Sequence, residues 1–117
     1  MPRWEHSRCG TRLYWAGSGG GRSLHGPAPG RQNTEALRAS VRKTGRVVIV
    51  DEACITCSAA AEIAALLTED AATFSALRKP PKRVCAPDVP IPYSPIMERF
   101  CLPDAARVVA GIRDVLG

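Results

Sequence analysis

Val47-Val48-Ile49-Val50 is a run of four β-branched residues with no polar residue between them. Branching at Cβ stiffens these side chains and favours an extended backbone, and the lack of alternation means that both faces of the strand look inward. A strand of this kind needs apolar cover above and below and a neighbouring strand along each edge. With 117 residues, the chain has room for one such domain and not for two. Asp51 and Glu52 mark the carboxyl end of the run.

The flanking sequence sets the fold class. Leu37 and Val41 lie four apart, which predicts a short helix over 34–43 with one apolar edge, and Gly45 suits the left-handed position after it. Residues 58–67 are alanine-rich and place Ile63, Leu66 and Leu67 on one helical face, and 68–77 continue as a shorter helix. Lys79-Pro80-Pro81-Lys82 ends it, and Arg83-Val84-Cys85-Ala86 reads as a second strand. Pro87, Pro90 and Pro92 hold the next stretch extended, and Ser94-Pro95 is a helix start. After Pro103, the positions Ala105, Val108, Val109, Ile112, Val115 and Leu116 form the apolar face of a last helix that must dock on something.

Helix, strand, helix, strand, helix is an α/β order, with a right-handed crossover between two parallel strands. Two strands make no stable sheet. The chain is therefore expected to lack part of its own sheet, to leave the valine strand at an edge, and to fold marginally in isolation.

Residues 1–33 have a different texture. They hold five arginines, Arg3, Arg8, Arg12, Arg22 and Arg31, against Glu5 alone, and most of the excess positive charge of the chain. Gly17-Ser18-Gly19-Gly20-Gly21 and Gly26-Pro27-Ala28-Pro29-Gly30 break any helical or strand period, so the segment reads as an irregular or disordered basic tail ahead of a domain over 34–117. Trp4, Tyr14 and Trp15 among these arginines offer a nucleic-acid-binding alternative, but the charges are sparse and no phosphate-cradling loop accompanies them. The preferred reading has no nucleic-acid partner.

Five cysteines, an odd count, and an N-terminus that leads into no apolar run predict reduced thiols in the cytoplasm. No stretch approaches the roughly 18 apolar residues of a membrane span. Cys54-Ile55-Thr56-Cys57, between a strand and a helix, has the spacing of a thiol-disulfide pair, so a small redox module using Cys54 and Cys57 is an alternative function. The sequence around it lacks the aromatic and Gly-Pro context of thioredoxins, which favours a packing role for both residues. Zinc takes two close pairs and only one is present. Asp51 and Glu52 are adjacent on an extended chain and point apart, so a hydrogen-bonding role at a helix terminus is preferred over paired acid–base chemistry.

The blocks Ser40-Val41-Arg42-Lys43-Thr44-Gly45-Arg46-Val47-Val48-Ile49-Val50-Asp51-Glu52-Ala53, Ala61-Glu62-Ile63-Ala64, Pro81-Lys82-Arg83-Val84-Cys85-Ala86-Pro87-Asp88-Val89-Pro90-Ile91-Pro92-Tyr93 and Leu102-Pro103-Asp104 occur in order and at even spacing. From residue 34 onward the chain resembles the C-terminal domain of the beta subunit of 2-oxo acid dehydrogenases, of the pyruvate or acetoin type, in the transketolase C-terminal domain family. The resemblance implies a three-layer α/β sheet with helices on both faces, incomplete here because its opening strand–helix–strand portion and a preceding pyrimidine-binding domain are not matched. The abrupt join near residue 33 is expected to be that of an N-terminally truncated or frame-shifted gene.

The resemblance further implies that the parent enzyme decarboxylates a 2-oxo acid with thiamine diphosphate and magnesium and passes the acyl group to lipoamide. This chain is then expected to bind no cofactor or metal, to have no catalytic residue, and to be inert alone. Its expected role is subunit assembly with the alpha subunit and other beta chains, with the acyltransferase core as a further candidate partner. Asp88, Pro90, Ile91, Pro92 and Tyr93 are the candidate interface. The prolines fix the backbone before docking, and Tyr93 offers a large ring with a polar tip.

Overall fold

The valine run is the centre of a mixed sheet. The computed structural model describes residues 31–117 and, before them, two short segments, 12–14 and 23–24; for those segments and for 31–33 only the backbone is described. In chain order the elements are β1 (Arg12–Tyr14), β2 (Ser23–Leu24), α1 (Arg31–Thr44), β3 (Val48–Cys54), α2 (Ala59–Glu69), α3 (Ala71–Ala76), β4 (Lys82–Ala86), α4 (Pro95–Cys101) and α5 (Ala105–Leu116). The sheet order is β2-β1-β3-β4. β3 and β4 are parallel, with Val48 opposite Lys82 and Val50 opposite Val84, as the α/β order requires.

β3 packs on both faces, which explains its unbroken apolar sequence. Val47 and Ile49 face α1 and α2, in a cluster with Leu37, Val41, Ala60, Ile63, Leu67 and Cys85. Val48 faces the other way, clustered with Val84 and Val115 and flanked by Val50, Val108 and Ile112. The side chains alternate between two apolar layers rather than between core and water.

The expected bare edge at the valine strand is not found. β1 pairs with β3 antiparallel, Leu13 opposite Ile49, and β2 pairs with β1. These strands come from the segment read as an irregular tail, and the first turn of α1 also lies in it; the remaining residues before 31 lie outside the described residues. Three residues are too short to carry a period, so β1 is specified by the open edge of β3 and not by its own pattern. The other flank of the sheet is β4, where the Arg107 guanidinium donates to the Cys85 carbonyl at 2.7 Å and covers part of the edge.

The helices are set by local chemistry. Ser58 caps α2, accepting from Ala61 N–H at 3.3 Å, and Asp104 caps α5, accepting from Arg107 N–H at 2.8 Å. Asp70 separates α2 from α3 and accepts from Thr73 N–H at 2.9 Å, while Arg42 on α1 donates to Asp70 at 3.1 Å. Gly45 ends α1 at φ 68°, and a Cβ there would lie 2.9 Å from the Ala76 carbonyl oxygen.

α5 docks with a narrower face than its sequence predicts. Gly111 and Val115 are buried, Val108 and Ile112 half-buried, and Val109, Leu116 and Ala105 exposed. The reason is Gly111. A Cβ there would meet Val84 Cγ2 at 2.8 Å, so the helix approaches β4 along its glycine. With Gly111 against the strand, about 3.6 residues per turn places Val109 and Leu116 on the opposite side of the helix.

Candidate functional site

The register of β3 against β4 slips between the Val50–Val84 and Cys54–Ala86 pairs. Asp51 and Glu52 lie within this irregular stretch. Asp51 is buried and Glu52 exposed, as neighbours on an extended chain should be. Asp51 accepts from Ala53 N–H at 3.2 Å and from Ala60 N–H, at the start of α2, at 3.1 Å. One carboxylate thus pins both ends of the loop between β3 and α2, and its negative charge lies at a helix N-terminus. Beside it, burial and then the Asp51 charge push the Cys85 thiol up from its ordinary range. Cys85 is a packed thiol, 4% exposed.

The pinned loop is tied to the segment that follows β4. Asp88 accepts from Thr56 N–H at 3.1 Å and from Thr56 Oγ1 at 2.6 Å. The two Thr56 bonds, side chain first, hold the Asp88 carboxyl below its usual range. Arg83 donates to the Ile55 carbonyl at 2.8 Å, and Ile55 N–H donates to the Ala86 carbonyl at 3.0 Å. From the far side Arg107 donates to the Cys101 and Leu102 carbonyls at 3.2 and 3.4 Å, securing the end of α4.

What these bonds hold in place is apolar and faces outward. Tyr93 is fully exposed, Phe100 is 87% and Ile96 80% exposed, and Val89, Ile91 and Met97 are also exposed. On α4 only Cys101 is buried. A seven-residue helix that turns Ile96, Met97 and Phe100 to solvent has its apolar face on the wrong side for a free surface. Large apolar side chains exposed close together in sequence, at Ile91, Tyr93, Ile96, Met97 and Phe100, are what this stretch presents to solvent.

The five residues singled out from sequence lie in the segment that follows β4, four of them exposed and Pro92 half-buried. Asp88 is its anchor, Ile91 and Tyr93 supply apolar area, and Pro90 is exposed beside the half-buried Pro92. Sequence reasoning missed Ile96, Met97 and Phe100, whose spacing of one and three on a short helix was the available signal. It also missed Thr56 and Arg107 as ties, which no local pattern encodes. The expected packing role of Cys54 and Cys57 is not met, since both thiols are exposed. Trp4 and Trp15 of the nucleic-acid alternative lie outside the described residues, and Tyr14 is described only as backbone of β1.

Thiamine diphosphate and its magnesium need free carboxylate or other oxygen ligands. The described residues do not fit them. No three His, Cys, Asp or Glu side chains among them converge, Asp51 is engaged by two backbone amides, and Asp88 is engaged by Thr56. Nor is any helix among the described residues long and apolar enough to cross a membrane.

Residues 32–108 match the family of the transketolase C-terminal domain. Similar curated proteins include the acetoin:2,6-dichlorophenolindophenol oxidoreductase subunit beta of Bacillus subtilis, 40% identical over 83 residues, which are 71% of this chain and 24% of that protein. The mitochondrial 2-oxoisovalerate dehydrogenase subunit beta of Chaetomium thermophilum is 39% identical over 84 residues, 69% of this chain and 18% of the relative. The mitochondrial pyruvate dehydrogenase E1 component subunit beta of Saccharomyces cerevisiae is 36% identical over 84 residues, 72% of this chain and 23% of the relative. The chain spans about a quarter or less of the length of these relatives.

Proposed function

The chain belongs to the transketolase C-terminal domain family, and from that premise we propose that it is a subunit-assembly domain of the beta subunit of a thiamine-diphosphate-dependent 2-oxo acid dehydrogenase. The parent complex would oxidatively decarboxylate pyruvate or a related 2-oxo acid, or oxidatively cleave acetoin between its hydroxyl-bearing and carbonyl carbons. The observation that carries this reading is the outward apolar surface from Val89 to Phe100, anchored at Asp88 and at the end of α4. Its partners in this reading are the alpha subunit and other beta chains, with the acyltransferase core as a further one. It works in the cytoplasm and contributes contact area, not chemistry.

The anchoring makes physical sense for such a role. Asp88 and the prolines around it fix the backbone before any partner arrives, so less conformational freedom is lost on docking. Tyr93 and Phe100 are large rings that bury much area for few rotatable bonds, the kind of group that dominates interface energetics.

The test is to mix the full chain with an alpha subunit and a separately supplied beta N-terminal domain of a matching dehydrogenase. Association is expected. No association at micromolar concentration would overturn the assembly role. So would turnover of pyruvate or acetoin by the chain alone with thiamine diphosphate and magnesium added, since the chain would then carry its own chemistry.

A further inference from the structure

Cys54 and Cys57 serve no purpose in the assembly reading, yet they are placed with some care. Asp51 bonds Ala53 N–H and Ala60 N–H, so the loop between them is folded back on itself. Within that loop Cys57 takes a left-handed backbone at φ 54°, a conformation that non-glycine residues rarely adopt. The Cys54 thiol donates to the Thr56 carbonyl oxygen at 3.3 Å. That oxygen belongs to the peptide group joining Thr56 to Cys57, so the Cys54 sulfur already lies against the backbone of its potential partner. Both thiols are exposed, whereas Cys85 and Cys101 are buried.

We propose that Cys54 and Cys57 are a modification site, a dithiol that a low-molecular-weight disulfide oxidises reversibly to an intramolecular disulfide, and that this closure is felt at the Asp88 anchor through Thr56. The chemistry balances as two exchange steps. One cysteine thiolate attacks a sulfur of the small disulfide, breaking its S–S bond and releasing one small thiol. The second cysteine thiolate then attacks the protein sulfur of the mixed disulfide and releases the other small thiol. Two protein thiols are oxidised, one small disulfide is reduced, and the two cysteine protons end on the released thiols. Closure removes the hydrogen that Cys54 donates to Thr56. Thr56 is the residue whose N–H and hydroxyl hold Asp88, so the change is transmitted to the start of the 88–93 segment.

The site is a switch point rather than a catalytic thiol-disulfide module. Its effect on docking rests on the assembly reading, whereas its oxidation does not. Cys85 does not compete, because burial and the nearby Asp51 charge push its thiol up from its ordinary range.

The experiment uses the full chain with Cys9→Ser, which removes the one other cysteine outside the buried pair, incubated with oxidised glutathione under native conditions. Tryptic cleavage after Arg46 and Arg78 leaves both cysteines in one peptide. The expected product is that peptide lighter by two hydrogens, restored by reductant, with the Thr56 and Asp88 amide resonances both shifted in the oxidised chain. Cys54→Ser should instead stop at a stable glutathione adduct on Cys57. A persistent adduct in the parent, a bond to Cys85 or Cys101, or no oxidation would overturn the site. An unmoved Asp88 resonance in the oxidised chain would overturn the coupling. All of these outcomes are read without a partner subunit, so they stand or fall apart from the assembly role.

Discussion

Two stretches of this chain carry large apolar side chains, Val47–Val50 and Val89–Phe100, and their fates are opposite. The first is sealed between α1 and α2 on one side and α5 on the other, with Ile49 wholly buried. The second is held by polar ties to the loop after β3 and to α5, and turns its large side chains to solvent. Burial near 25 cal/mol per Å² stabilises the first stretch within the chain. The second leaves its large side chains exposed and contributes little to this fold.

Mutations should separate the two regions, beginning with the largest effect. Leu67→Ala in the buried cluster should destabilise the chain by about 2–5 kcal/mol, a large fraction of the stability of a small domain. The check is urea denaturation, and loss of less than about 1 kcal/mol would mean that this cluster is loosely packed.

Gly111→Ala should come next. The new Cβ meets Val84 at 2.8 Å, and the overpacking is partly offset by alanine's better helix propensity. A net loss on the order of 1 kcal/mol is expected, with recovery in the Gly111→Ala, Val84→Ala double variant beyond what the separate effects would add to. Additivity in that cycle would show that α5 does not touch β4 there.

Acid should act through α1 and α3. Thr73, by side chain and then backbone, and Arg42 lower the Asp70 carboxyl from 3.8 to about 2. The folded chain therefore holds this proton less tightly than the unfolded chain does. The contribution is fully present above the unfolded value and is lost as pH falls through the folded one. Between neutral pH and pH 5 the difference in stability between the chain and Asp70→Asn should be constant, and it should shrink as pH falls from about 4 to about 2. A difference that does not change over that range would contradict the Asp70 cap.

The smallest effect on stability is expected at the outward surface. Phe100→Ala should shift the isolated chain by no more than about 0.5 kcal/mol, because Phe100 is largely exposed. A loss comparable to that of Leu67→Ala would erase the distinction between the regions.

The inward region was the legible one. Val47–Val50, Leu37 with Val41, and the Gly45 stop are local patterns whose physics acts within a few residues, and the structure follows them. α5 was legible as a helix but not in which of its residues dock, because Gly111 acts by what it lacks opposite Val84. β1 could not be read, since its strand state is conferred by the edge of β3. At the candidate surface, the proline-bound segment from Asp88 to Tyr93 stood out in sequence. Its continuation onto α4 did not, because exposure of Ile96 and Phe100 depends on where Arg107 and Thr56 fix the chain, and those contacts span five to thirty-two positions.

The most direct measurement is sedimentation of the chain and its Tyr93→Ala, Phe100→Ala variant, each mixed with an alpha subunit and a beta N-terminal domain, alongside thermal unfolding of each chain alone. An outward docking surface predicts equal unfolding temperatures and association of the parent chain only. Association of both chains with equal affinity, their unfolding temperatures still equal, would contradict it.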